Sequence, residues 1–378
     1  MILKIQRDES LHSYMQRILY LNLEHSDISK LKKLLTHTVD ILTVKTIASI
    51  LKWPGCYGFN RILHDHTSYP ISGIFKDPYD ISYSQRKYIS KGKTPSINKT
   101  MYAYCPECIR GDLIRFGYSY WRRSHQSGVT VCGKHNVVLV TRCPFCDATF
   151  SFSGHSLDVM WRGCSGNQLS ETDAVENRST AALKEAEFLN ALFTFGFHIP
   201  IETAMYVLYE RFLFLRSTKV EFTAESIEDF EWVRCFIEKI DKDRSEIGRS
   251  LFYEGRRVIK AAIAAYDSFD DFAQDIKLRD NEPCSIEDFW STYASEGHDS
   301  VHYIEEIYAN GVGVWSCPYP SLKSLNPISR DGSRARQPLI YPCCNFTHPS
   351  EANDQLAPKK VRSPMPKISL LIAPNYTI

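Results

Sequence analysis

Cys105-Pro106-Glu107-Cys108, then Cys132-Gly133-Lys134-His135, then Cys143-Pro144-Phe145-Cys146: these three short runs decide how the chain is organised. The first two pairs are separated by 23 residues, and the third run begins eight residues after His135. Two ligands on each of two tight knuckles build a closed tetrahedral zinc site, and Cys105, Cys108, Cys132 and His135 supply all four. A lone C-x-x-C is also compatible with a redox pair. That reading needs a thioredoxin-like βαβ context, which these flanks lack.

The second site is less complete. Cys143 and Cys146 form one pair; after 17 residues comes Cys164, in Cys164-Ser165-Gly166-Asn167, where Asn167 stands in place of a further cysteine. His155 is a candidate fourth ligand, and the alternative is a site that has lost its metal and kept its fold. A catalytic zinc keeps an open coordination position and a nearby general base. The first ligand set is already full, Glu107 reads as a solvated loop residue, and there is no H-E-x-x-H. The expected cofactor is therefore structural Zn2+, standing in for a core that short loops cannot build.

A chain of 378 residues with 43% hydrophobic content can bury two or three cores. No run approaches the 18 apolar residues of a membrane span, and the first residues lack an apolar signal-peptide core. Twelve cysteines with zinc spacing fit a reducing cytosol rather than a disulfide scaffold. The net charge is only +1, but it is unevenly spread. Residues 1–150 hold 21 Lys and Arg against 11 Asp and Glu, and the remainder 24 against 33. That split is expected where one half faces a polyanion such as nucleic acid; two ordinary soluble domains of opposite sign would also give it.

The architecture expected is mainly α with small zinc-binding modules. Residues 9–23 place Leu11, Met15, Ile18 and Leu19 near helical spacing, with Asp8 and Ser10 as N-caps. Further short helices are expected at 28–35, 44–52 and 59–64, the second stopping at Trp53-Pro54-Gly55. Helix, tight turn, helix on a basic background outlines an N-terminal helix-turn-helix; a plain helical bundle is the alternative. His64-Asp65-His66 reads as hydrogen-bonding polar residues rather than a metal site. Residues 1–100 are taken as this region with a basic loop, 101–170 as the zinc-binding region, 180–315 as a C-terminal helical domain, and 316–378 as an irregular tail. The tail holds 10 of the 18 prolines. Helices are expected at 181–192, 201–214, 226–240, 256–266 and 285–293. Cys317, Cys343, Cys344 and His348 fit no common ligand spacing.

Candidate nucleic-acid or partner contacts are Arg61 in the helical region, Arg86 and Lys87 in the basic–aromatic loop, and the Arg122-Arg123 pair beside Trp121. Trp121 could equally serve as core over the metal, and Trp161 as its counterpart at the next knuckle. There is no Walker loop, nucleophile elbow or dinucleotide fingerprint, so an enzyme is not expected. A zinc-dependent hydrolase or nuclease would need the open ligand position and base that the first site lacks.

The order of features resembles one family, the TniQ/TnsD target-selection proteins of Tn7-like transposons. Asp8-Glu9-Ser10-Leu11, with Ser13 and Arg17, is similar to the family's opening motif. The helices through Trp53 to His64 resemble its helix-turn-helix. Cys105-Pro106-Glu107-Cys108 with Cys132-Gly133-Lys134-His135 and Leu139 resembles its zinc motif, and Cys143-Pro144-Phe145-Cys146 its second zinc module, from which Asn167 departs. The resemblance covers residues 1–170. It implies a scaffold without chemistry of its own. A short member would ride, as a head-to-tail homodimer, on the crRNA-processing and backbone end of a type I Cascade complex with its crRNA. There it would recruit the AAA+ ATPase TnsC beside target DNA, with sequence readout left to guide pairing. The alternative within the family is a TnsD-like selector that reads an attachment site directly.

Overall fold

The structure is a computed structural model. It describes residues 4–21, 44, 47, 51, 62–76, 102–126, 128–151, 155–195, 199–218, 224–242, 247–279, 304–307 and 313–316. The described helices are α1 (Leu11–Leu21), α2 (Tyr69–Gly73), α3 (Pro106–Phe116), the one-turn α4 (Val159–Arg162), α5 (Thr180–Thr194), α6 (Ile201–Ser217), α7 (Ala224–Lys242), α8 (Ile247–Ala265) and α9 (Phe269–Arg279). Short strands pair two by two: β1 (Phe75–Lys76) parallel to β4 (Ile199–Pro200), β2 (Val131–Cys132) antiparallel to β3 (Val137–Val138), and β5 (Ile304–Ile307) antiparallel to β6 (Gly313–Ser316). The protein is thus mostly helical, with small Cys/His modules. The helix-turn-helix expected before residue 64 lies largely outside the described residues, as do Arg61, Arg86, Lys87, the 285–293 helix and the Cys317–His348 group.

The described residues fall into two compact units. The first draws on Met1–Ile47, Ile62–Ser68 and Thr94–Thr194, the second on Ala48–Arg61, Tyr69–Lys93 and Phe195–Ile378.

In the first unit, α1 begins where the sequence offers a cap: Ser10 Oγ accepts the Ser13 N–H at 3.1 Å. The residues before it are bound to the stretch after α3. Ser10 N–H donates to the Trp121 carbonyl at 2.8 Å, and Arg123 N–H to the Asp8 carbonyl at 3.0 Å. Glu9 is fully buried and accepts from Arg17 at 2.9 and 2.7 Å. A buried carboxylate persists only when so paired, and burial still pushes its pKa up, against the pull of Arg17. His66 binds the Glu9 carbonyl through Nδ1 at 2.8 Å, a hydrogen-bonding role.

Residues 102–105 are extended, and successive side chains point to opposite faces. Tyr102 and Tyr104 join a core of Trp121, Phe150, Leu157, Met160, Cys143 and Cys164. Ala103 and Cys105 join another, with Cys108, Cys132, Val137 and Leu139. One segment therefore forms a face of both small cores.

The second unit is helical. α6 packs against α7, α8 and α9, and its buried residues include Ile201, Met205, Leu208 and Phe212. Apolar residues round much of its circumference suit a central helix. Phe230 of α7 stacks on Tyr209 with ring centres 5.8 Å apart and meets Phe212 edge-on. Ser268 caps α9: its Oγ accepts the Asp271 N–H at 3.1 Å and donates to the Asp271 carboxylate at 2.7 Å.

Candidate metal centres

The first cluster is built from a helix start and a hairpin. Cys105 is the N-cap of α3, with extended backbone, and its Sγ accepts the Cys108 N–H. Pro106 occupies the first turn, where a missing N–H costs nothing, and Gly117 ends the helix in the left-handed region at φ 76°. This places Cys105 and Cys108 one helical turn apart, facing the same side. Cys132 ends β2, and the chain returns through Gly133, Lys134, His135 and Asn136 into β3. Asn136 takes φ 52°, which Asn tolerates better than most residues, and its N–H donates to the Cys132 carbonyl at 2.8 Å.

The four donor atoms converge. Cys105 Sγ and Cys108 Sγ each lie 3.4 Å from His135 Nδ1, Cys132 Sγ lies 3.7 Å from it, and the Cys108 and Cys132 sulfurs are 3.8 Å apart. A tetrahedron with zinc–sulfur bonds of about 2.3 Å and zinc–nitrogen bonds of about 2.0–2.1 Å has S···S edges of about 3.8 Å and S···N edges of about 3.5–3.6 Å. The donor set and its edges fit such an ion. They do not fit a disulfide, whose sulfurs sit about 2.05 Å apart, and the cysteines are free.

The thiols share charge unequally. Hydrogen bonding to Cys105 and Cys132, together with burial, pushes Cys108 far up. Hydrogen bonds from Cys105 and Cys108, and one from buried His125, hold Cys132 far down. A dication held among them would favour the thiolate form of all three. His125 is an outer contact of the kind that orients metal ligands, and no spacing rule in the sequence marks it.

A second cluster gathers Cys143, Cys146, His155 and Cys164, with all donor atoms within 4.8 Å of one another. Its first knuckle repeats the geometry of the first cluster's hairpin. Asp147 has φ 58°, and its N–H donates to the Cys143 carbonyl at 2.8 Å.

Arg122 and Arg123, the adjacent pair beside Trp121, are each engaged within the fold. Arg122 binds Asp112 through both terminal nitrogens, with its side chain 15% exposed. Arg123 is buried, donates to Asp8 at 3.2 Å and to the Phe193 carbonyl at 3.0 Å, and lies over the Phe193 ring. Both guanidinium groups have acidic partners within the fold. Trp121 is core, but chiefly of the group around Cys143 and Cys164 rather than the first cluster, and its indole N–H donates to the Leu157 carbonyl at 2.8 Å. Trp161 packs against the same group. A cleft of about 360 Å³ in the second unit lies between α6 and α9, lined among others by Glu210, Arg211, Phe214 and Asp275. Among the described residues, no helix is long and apolar enough to cross a membrane.

These features define a class: a helical protein organised around two Cys/His clusters able to hold metal, each with four donors. Within that class, the TniQ family model matches residues 1–139, so this part of the chain is a TniQ domain and the match supports membership of the TniQ family. That domain implies a transposition-associated role in target selection, in a family of non-enzymatic adaptors. No curated protein matches the sequence. The matched region contains the whole first cluster and stops four residues before Cys143.

Proposed function

We propose that this protein is a non-enzymatic adaptor that binds an RNA-guided type I Cascade complex and recruits the AAA+ ATPase TnsC. It would thereby direct transposon insertion beside the matched target DNA. The observation that carries the reading is a TniQ domain whose Cys/His cluster has four protein donors at tetrahedral spacing. Zinc held there has no open position for water or substrate, so it acts by fixing shape. The cluster draws Cys105 and Cys108 of α3 to Cys132 and His135 of the hairpin, and a surface presented by both is positioned by the ion.

The internal pairing of Arg122 and Arg123 favours an adaptor over a direct reader of DNA, because two of the basic side chains expected to meet phosphate are spent within the fold. In this reading sequence choice rests with guide pairing, and the chain works in the bacterial cytoplasm as a head-to-tail homodimer. The TnsD-like reading, direct recognition of an attachment site, draws support from the 21 basic against 11 acidic residues of positions 1–150. Co-purification of the full chain with a crRNA-loaded type I Cascade and with TnsC, alongside gel shifts on duplex DNA, separates the two. The adaptor reading expects stable association with Cascade and only weak, salt-sensitive binding to DNA. Tight, sequence-specific binding of the isolated chain to duplex DNA would reverse the order.

A further inference from the structure

We propose that His155 is the fourth ligand of a second zinc ion, held with Cys143, Cys146 and Cys164, and that it replaces the knuckle residue missing at position 167. The inference rests on reading the clusters as structural zinc sites and is independent of the partners named above.

Asn167 sits where a second C-x-x-C would place its last sulfur, but the structure uses it differently. Its N–H and carbonyl both bind Cys164, at 3.0 and 2.9 Å, closing a turn through Ser165 at φ 53° and Gly166 at φ 87°. Asn167 is exposed. A carboxamide is in any case a poor match for an ion that takes thiolate, imidazole or carboxylate. The knuckle turn is kept while its last donor is absent.

His155 comes from the segment between the two halves of the site. Its backbone is fixed beside the first knuckle: His155 N–H donates to the Thr149 carbonyl at 2.7 Å, and its carbonyl accepts from Ser151. Cys143 N–H in turn donates to the Ala148 carbonyl at 2.8 Å. The imidazole stacks on Phe150, whose side chain is fully buried. That wall leaves one ring atom unexplained, since Nε2 is buried and has no hydrogen-bond partner. A buried imidazole nitrogen is normally satisfied, and a cation among three cysteines within 4.8 Å would satisfy it. Cys143 and Cys164 are buried in the apolar core around Trp121, so the ion would have a dry inner side and, at exposed Cys146, a wet outer one.

The test counts metal in the full chain purified from zinc-supplemented cells. Wild type should carry about two zinc ions per chain, His155→Ala about one, and Asn167→Ala still about two. His155→Cys covers the case in which the alanine variant fails to fold. It should hold two ions, and after Co2+ substitution its sulfur-to-cobalt charge-transfer band should rise, because one site gains a thiolate. A wild type with one ion, kept in full by His155→Ala, overturns the inference and leaves the first zinc site standing. An unchanged cobalt band in His155→Cys overturns it as well. A wild type with no zinc overturns the reading of both clusters.

Discussion

Arg122 grips Asp112 through both terminal guanidinium nitrogens at 2.8 Å each, and so joins the segment after α3 to the middle of that helix. Asp112 also accepts from Ser119 at 2.8 Å, and the Arg122 guanidinium lies 4.5 Å from the centre of the Tyr120 ring. Both charges are largely out of water, and removing one strands the other. Arg122→Ala should therefore cost about 3–5 kcal/mol, the range for breaking a buried pair from one side. Urea denaturation of the first unit checks this. Wild-type stability in the variant, combined with weakened binding to nucleic acid, would return Arg122 to the surface role its sequence suggested.

Zinc at the first cluster should be folding energy rather than decoration. Metal binding of this kind contributes about 10–16 kcal/mol in small zinc modules at neutral pH, as much as a typical domain's whole stability. Stripping the ion with a chelator, or changing Cys105→Ala or His135→Ala, should abolish the cooperative near-ultraviolet transition of the first unit. The helical signal of α6–α9 should largely survive. Full zinc content in either variant would mean that the four residues are not the ligands.

The fold should weaken in mild acid through His12. This residue on α1 is 3% exposed, and burial lowers its pKa from 6.5 to about 4. The folded state therefore keeps the ring neutral in a window where the unfolded chain takes up a proton. Stability from this source is complete above pH 6.5 and is lost as the pH falls towards 4, by up to about 3 kcal/mol. Metal binding is itself pH-dependent, so the quantity to measure is the difference between wild type and His12→Gln. That difference should shrink as the pH falls from 7 to 4. A constant difference would show that His12 does not titrate there.

Gly133 lets the knuckle sit on α5. A Cβ at this position would lie 2.5 Å from the Asn190 side chain and 3.1 Å from the Ala186 backbone. The Asn190 amide can swing away, but the helix backbone cannot. Gly133→Ala should thus destabilise the first unit by about 1–3 kcal/mol, the usual cost of overpacking. Adding Asn190→Ala should recover only part of it. Complete recovery in the double variant would mean that the helix itself yields.

What could be read from the sequence divides along physical lines. Metal knuckles depend on local spacing, so Cys105, Cys108, Cys132 and His135 could be picked out directly. The long helices were legible from composition: the expected 181–192 and 226–240 correspond to Thr180–Thr194 and Ala224–Lys242. Helix α8 starts at Ile247, earlier than the expected 256, and α9 was missed although Ser268 and Asp271 spell its cap. Helix α3 was also missed, since Pro106 and Gly111 within a few residues look like loop. The partners of the two arginines were hidden for a different reason. Asp112 is ten residues from Arg122, and Asp8 is 115 from Arg123; a pairing made by the fold leaves two adjacent positive charges looking free. His125 was invisible for the same reason.

The alternation of residues 102–105 makes the two small cores neighbours through a common wall. Tyr102 and Tyr104 face the side of Cys143 and Cys164, and Ala103 and Cys105 face the side of Cys108 and Cys132. Four consecutive residues cannot shift on one face and stay still on the other. The two clusters are thus mechanically linked: whatever disturbs the ligands on one side tugs on the packing that shapes the other, and the region keeps or loses its form as a whole.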